Sequence, residues 1–239
     1  MKRFGVAVLF LLFSSFLQAQ TVNFFTSEMN WSITSGLGFE NGSDFAPLTT
    51  SVDISTELNM KEFYANFGNK FQPSQIDLTT EAVYWPTFWD CFNAGAGSIF
   101  HIVHYSKLFV EADILTGIYL GYHTPKKLDC MLNFLYHRKI ARIYEIQDDV
   151  PWICNNSIAF KTLVNYRPVE NLTLNLTISS YSPYRYMLFL APDFSLSAEY
   201  RFFELFSAGA QLELQYIDMF TLSSNLNSID VRIFGKLEF

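Results

Sequence analysis

The chain has 239 residues, a formal net charge of −7 and 18% aromatic residues, of which 25 are phenylalanine. The acidic balance argues against a nucleic-acid partner, because phosphate backbones attract positively charged surfaces. Three cysteines without a CxxC spacing argue against a metal site, and no nucleotide loop or dinucleotide fingerprint occurs, so we expect no metal and no cofactor.

The first residues have the pattern of a secretory signal peptide. Lys2 and Arg3 precede an apolar run over residues 5–13, and Ala19 offers a small residue for cleavage. We predict a signal peptide over residues 1–19 and one domain over residues 20–239. Loss of the two cations changes the formal net charge from −7 to −9. No later run reaches the ~18 apolar residues of a membrane helix, so any membrane crossing must use strands.

The remaining chain alternates apolar and polar side chains, which is typical of strands with one apolar and one polar face. The predicted strands are residues 29–39, 52–60, 62–70, 75–84, 94–104, 108–122, 128–146, 157–167, 172–180, 194–202, 206–216 and 229–239. Residues 62–70 follow the pattern weakly, and residues 128–146 also fit a helical stripe. Twelve strands are therefore predicted, with ten as the alternative.

The last predicted strands have the cleanest alternation. The final one sets Val231, Ile233, Leu237 and Phe239 against Asp230, Arg232, Lys236 and Glu238. This ending resembles the integral β-barrel proteins of the outer membrane of double-membraned bacteria, whose last strand commonly alternates apolar residues and closes on phenylalanine. The resemblance implies an all-β fold, a single transmembrane antiparallel barrel, and an outer-membrane location. It also implies two partners, the outer-membrane lipid and the barrel-assembly machinery, which reads those four apolar residues.

The predicted connectors alternate in length, as in bacterial barrels with short periplasmic turns and long outer loops. Residues 203–205, 168–170 and 123–127 form short connectors on one side, whereas 217–228, 181–192 and 138–156 are long ones on the other. Two connectors break the rule. Residues 85–91 make a long inner turn, in which Trp85, Phe88 and Trp89 suit an interfacial aromatic belt, and residues 105–107 make a tight outer one.

Twelve strands give a backbone radius of roughly 12 Å and hence a narrow lumen. The strand pattern points many charged residues inward, with an acidic wall in the first half of the chain and a more basic one in the second. The predicted pore-lining residues are Asp53, Glu57, Asp77, Glu81, Glu111, Asp113, Lys161, Glu199, Arg201, Glu213 and Arg232. They indicate either a transverse field across an aqueous pore or ion pairs that neutralise one another and close the interior.

We predict a narrow passive channel of the porin type for small hydrophilic solutes, with acidic oligosaccharides excluded because the lumen is not strongly basic. One alternative is a non-conducting structural or adhesive barrel whose outer loops, with Asp148, Asp149, Tyr184 and Tyr186, bind a ligand or a host surface. A third is an outer-membrane hydrolase, suggested by the proximity of His101, His104 and Ser106 but supported by no family signature. No catalytic residue is therefore assigned.

Overall fold

A computed structural model describes residues 30–41, 48–60, 62–73, 75–89, 91–105, 109–124, 127–143, 153–180, 193–216 and 226–239. Within these residues no helix has the length and apolar character needed to cross a membrane. The predicted signal peptide lies outside them.

The described chain forms a single antiparallel sheet that closes on itself. Its strands are β1 (Asn30–Asn41), β2 (Thr49–Met60), β3 (Phe63–Gln72), β4 (Gln75–Tyr84), β5 (Thr87–Trp89), β6 (Phe92–Tyr105), β7 (Phe109–His123), β8 (Leu128–Ile143), β9 (Ile153–Val169), β10 (Leu172–Ser179), β11 (Asp193–Phe203), β12 (Phe206–Tyr216) and β13 (Leu226–Glu238). Strands that follow one another in the sequence pair, except β4 and β5, and β1 pairs with β13. The β4–β6 pairing leaves β5 as a short strand at the rim, so twelve strands form the wall.

The prediction of twelve wall strands is confirmed, and the alternative of ten is wrong. Residues 128–146, which also fitted a helix, supply β8, which pairs with β7 and with β9 over most of its length. Barrel closure decides between the two patterns, because each strand satisfies the backbone hydrogen bonds of the next and a helix at β8 would leave two edges open. The three-residue strand β5 was not predicted.

The outer face of the barrel is apolar. On β1, Ile33, Leu37 and Phe39 are exposed, whereas Ser32 and Thr34, on either side of Ile33, are buried. The other wall strands repeat this alternation, which leaves Ile158 71% exposed and Ile233 61% exposed on the outside. A continuous apolar belt around a closed barrel has no favourable contact with water, so the barrel spans a lipid bilayer.

The two ends of the barrel differ in their connectors. At the end where β1 begins and β13 finishes, turns as short as Glu204–Leu205 join the strands; we call it the turn end. At the opposite end the connections between β8 and β9, β10 and β11, and β12 and β13 are long; we call it the loop end. The two predicted exceptions are present, since residues 85–91 connect β4 to β6 at the turn end and β6 reaches β7 by a tight loop-end connection.

Apolar side chains fill part of the barrel interior. Val83, Ile99, Leu115, Tyr119, Leu135 and Ala159 form a fully buried group on β4 and β6–β9, which we call the lumen cluster. Gly97 makes room for it, because a Cβ there would lie 2.8 Å from both Tyr119 and Val83. Trp85 packs against the cluster as well. Its predicted place in an outer aromatic belt is therefore wrong, because the inward alternation of β4 continues beyond the strand.

Candidate pore and its lining

A cavity of about 1340 Å³ occupies the lumen towards the turn end. Its wall includes many short polar side chains, such as Thr34, Ser55, Asn165 and Asn175, because inward positions on these strands alternate with the apolar outer ones. The charged side chains of the wall are nearly balanced. The carboxylates are Glu57, Glu81, Asp129, Glu199, Glu204 and Glu238, and the cations are Lys161, Arg167, Arg201, Arg232 and Lys236.

Several of these charges pair with a neighbour on the same or a nearby strand rather than facing an opposite charge across the lumen. Arg201 Nη2 lies 2.8 Å from Glu238 Oε2, and Lys236 Nζ lies 3.3 Å from Glu238 Oε1. Arg232 on β13 reaches Asp53 on β2 over the intervening β1. Gly36 of β1 permits this contact, since a Cβ there would lie 2.6 Å from Arg232 Nε. Local pairing makes the wall close to neutral.

The charged groups of the cavity wall that have no opposite charge within 4 Å among the described residues include two carboxylates and a lysine. Tyr119 donates a 3.0 Å hydrogen bond to Glu81, and Ser32 donates one of 3.4 Å to Glu57, but neither carboxylate has a cation within 4 Å among the described residues. Lys161 likewise has no carboxylate within 4 Å in that part of the chain. β9, which carries Lys161, lies six wall strands from β2, which carries Glu57, so the two face each other across the barrel.

Buried polar side chains form a network further towards the loop end. Asp113 lies between two histidines, with Oδ2 3.2 Å from His101 Nδ1 and Oδ1 2.6 Å from His137 Nε2. Lys139 Nζ donates to Glu111 Oε1 at 2.6 Å and lies 3.7 Å from Asp113 Oδ1. We call these five side chains the β6–β8 network. Within it, the two carboxylates contact one lysine and two imidazoles on adjacent strands.

This network corrects the predicted acidic wall. Glu111 and Asp113 point inward as expected, but they are 0% and 3% exposed and lie against Lys139 and the imidazoles of His101 and His137. Asp77 is also buried, at 1% exposure, and accepts hydrogen bonds of 2.8 and 2.9 Å from Gln75. Of the first-half carboxylates in the prediction, Glu57 and Glu81 line the cavity. Carboxylates buried in a medium of low dielectric constant require local partners, and Asp77, Glu111 and Asp113 have them.

The remaining predicted pore residues also face inward. Glu199 accepts a 2.5 Å hydrogen bond from Ser207, and Glu213 accepts one of 2.5 Å from Gln215. Glu199 lines the cavity, whereas Glu213 lies nearer the loop end, where Lys70 also bonds Asp230 at 3.2 Å. Lys70, His137 and Lys139 were not predicted. The period-two alternation of β3 and β8 would have assigned them, but both segments were interpreted weakly.

The structure does not bring together the residues that suggested a hydrolase, but it places a different serine next to a histidine. His101 points inward, His104 is exposed on the outer face, and Ser106 lies outside the described residues. Instead, Ser157 Oγ lies 3.2 Å from His137 Nδ1, so a hydroxyl, an imidazole and Asp113 follow one another. Nucleophilic catalysis would further need an open cleft and donors aimed at an oxyanion. His137 is buried and does not line the cavity, so the arrangement is a buried network.

The other predicted residues lie largely away from the cavity. Val231, Ile233 and Leu237 lie on the outer face of β13 and are exposed by 43–61%, whereas Phe239, which follows the strand, borders the cavity at the turn end. The outer-loop residues Asp148, Asp149, Tyr184 and Tyr186 lie outside the described part of the chain. Among the described residues no group of three or more histidine, cysteine, aspartate or glutamate side chains could hold a metal ion.

Solved structures with a similar fold include two porins. The NanC porin superposes with a TM-score of 0.61 and 15% identity over 86% of this chain and 98% of its own. The KdgM porin, in a structure in complex with disordered oligogalacturonate, gives 0.56 and 12% identity over 87% and 99%. No protein-family model matches the sequence, and no curated protein matches it either.

These similarities concern the fold. Together with the closed twelve-stranded wall and its apolar belt, they confirm the predicted all-β architecture as that of an outer-membrane β-barrel. At 10–15% identity they carry no information about the solute.

Proposed function

We propose that the protein is a narrow passive channel for small hydrophilic solutes in the bacterial outer membrane. The observation that carries the proposal is the cavity of about 1340 Å³ inside the barrel, with its many hydroxyl, amide and charged side chains. Such groups replace part of the hydration of a polar solute. A purely structural barrel would be more stable with an apolar interior of the same volume.

The charge of the cavity favours neutral and zwitterionic solutes. Six carboxylates against five cations, several paired with neighbours, leave little net field for an anion. The KdgM structure contains oligogalacturonate, an acidic sugar chain. We do not expect this chain to carry acidic oligosaccharides, because the carboxylates of Glu57 and Glu81 would repel them.

The orientation of the barrel follows the rule of short periplasmic turns and long outer loops. The turn end, with its open cavity, then faces the periplasm and the loop end faces the cell exterior. In this orientation the signal peptide over residues 1–19 directs export, and the apolar face of β13, ending at Phe239, presents the signal to the assembly machinery.

A non-conducting structural barrel is the second candidate. The lumen cluster favours it, because fully buried Leu115 and Leu135 occupy interior space that a wide pore would leave to water. In this candidate the cavity does not continue through the barrel, and the outer loops carry the function.

Solute flux separates the two candidates. Refolded protein in liposomes should accelerate swelling with a neutral monosaccharide and with a zwitterionic amino acid, and much less with galacturonate. Liposomes that swell no faster than protein-free ones, while the protein is inserted and heat-modifiable on gels, would support the structural barrel.

The cavity carboxylates provide a selectivity test. Replacing Glu57 and Glu81 by glutamine should lower the cation preference measured as a reversal potential across a salt gradient, because both groups face the lumen without a cation within 4 Å among the described residues. Glu62→Gln is the matched control, since Glu62 accepts its hydrogen bond from the exposed, outward Tyr84. An unchanged reversal potential in the double variant would place the conduction path elsewhere.

A further inference from the structure

Basic side chains interrupt the apolar outer face at one place. On the described wall strands, the outward positions hold three basic residues, His104, Arg138 and Arg142, and no carboxylate. Arg138 is exposed between the buried His137 and Lys139, and His104 is exposed after the buried Val103, so their side chains point away from the lumen. The rest of the outer face is built from apolar and small polar residues.

The three residues lie together on neighbouring strands. His104 of β6 is opposite Val110 of β7, which is opposite Arg142 of β8. Two strand spacings separate His104 from Arg142, which is about 10 Å. Arg138 lies four residues from Arg142 on β8, about 13 Å along the strand. We call this group the basic outer patch.

The patch lies at the height of a membrane interface. Arg138 is ten residues from Leu128, the first residue of β8 at the turn end. Ten residues at ~3.3 Å and a tilt of ~40° rise about 25 Å, which is the height of the apolar band of such barrels. Tyr136, next to Arg138 on the same face, donates a 2.8 Å hydrogen bond to Asn156 of β9. Tyrosine is the residue expected where lipid tails meet headgroups.

A guanidinium at this position needs an anion. Outward Arg138 has no ion pair with a described residue, and the described outer face of β6–β9 offers no carboxylate. Phosphate suits a guanidinium because two N–H groups can donate to two oxygens. At the interface, the phosphates available to an outward side chain are those of lipid headgroups.

We propose that the basic outer patch binds a phosphate-bearing lipid headgroup of the leaflet around the loop end. Arg138 supplies the central contact, Arg142 and His104 add donors above it, and Asn156 Nδ2 can donate from β9. The exposed Ile114, which pairs with Arg138 across β7 and β8, lies on the same face towards the acyl chains. Barrel and lipid would then be held in a fixed orientation on this side of the wall.

Binding can be measured on the full chain refolded in a neutral maltoside detergent. Bisphosphorylated lipid A is titrated in and the bound fraction is read by native mass spectrometry, with dephosphorylated lipid A and phosphatidylcholine as comparison lipids. We expect tighter binding of the bisphosphorylated lipid. Arg138→Gln should weaken it about tenfold, as for a lost charge-assisted hydrogen bond, and Arg138→Lys should recover part of the loss.

The control is Arg201→Gln, which removes a similarly exposed arginine from the lumen face and should leave lipid binding unchanged. Heat-modifiable migration on gels verifies that each variant is folded. Equal binding of the dephosphorylated lipid, wild-type affinity in a folded triple variant of His104, Arg138 and Arg142, or an equal loss in Arg201→Gln would each overturn the proposal.

Discussion

Truncation of Leu135 tests whether the lumen cluster is a packed core. Leu135 lies on β8, points inward and is 0% exposed. Leu135→Ala removes three carbons, worth about 2.4 kcal/mol at ~0.8 kcal/mol each. The cavity left behind adds to this loss, so we expect the free energy of unfolding to fall by about 3 kcal/mol.

Leu163 provides the matched control. It is also an inward leucine, on the adjacent strand β9, but it is half-buried and lines the cavity. Leu163→Ala should therefore cost only about 1 kcal/mol, since much of its side chain already faces the space of the cavity. The two leucines share residue type, wall and interior face, so their difference isolates the packing of the lumen cluster.

The assay is guanidinium unfolding in lipid vesicles, followed by tryptophan fluorescence and by heat-modifiable migration on gels. If the unfolding free energy of wild type and variants depends on guanidinium concentration with the same slope, the midpoints can be compared as free energies. If Leu135→Ala and Leu163→Ala cost the same small amount, Leu135 faces water and the lumen cluster is not a core.

Three further changes test other parts of the structure. Leu212→Arg, on the apolar belt, should cost about 2–4 kcal/mol, whereas Thr177→Arg, on the cavity wall, should be tolerated; equal damage would show a wrong strand register. Asn133 is 0% exposed and its amide has no hydrogen-bond partner among the described residues, so Asn133→Leu should raise the unfolding midpoint in guanidinium. Asp113→Asn removes the carboxylate that His101 and His137 share and should cost about 3 kcal/mol, and unchanged stability would show that this carboxylate does not stabilise the β6–β8 network.

The strand pattern predicted most of the fold. All twelve wall strands lie within a few residues of the predicted segments, and Leu174 and Leu176 face outward as their alternation required. Period two is a strong signal here because lipid on one side and the lumen on the other impose opposite polarity on successive residues.

The interior could not be predicted to the same depth. The alternation predicts that Asp113 lies on the inward face of the sheet, but it does not predict which side chains lie beside it. The contacts with His101 and His137 depend on the register of three strands. Leu115 and Leu135 are apolar at inward positions, where polar residues are the rule, so the pattern gave no reason to expect a cluster. The lumen cluster depends on side chains from five strands meeting in space.

Single-channel conductance of the refolded protein in planar bilayers tests whether the lumen conducts. We expect small, stepwise currents in wild type, carried through the polar cavity beside the lumen cluster, and larger steps in Leu135→Ala, which widens the interior. Bilayers that remain electrically silent with wild type and with Leu135→Ala, although folded protein is inserted, would contradict this expectation.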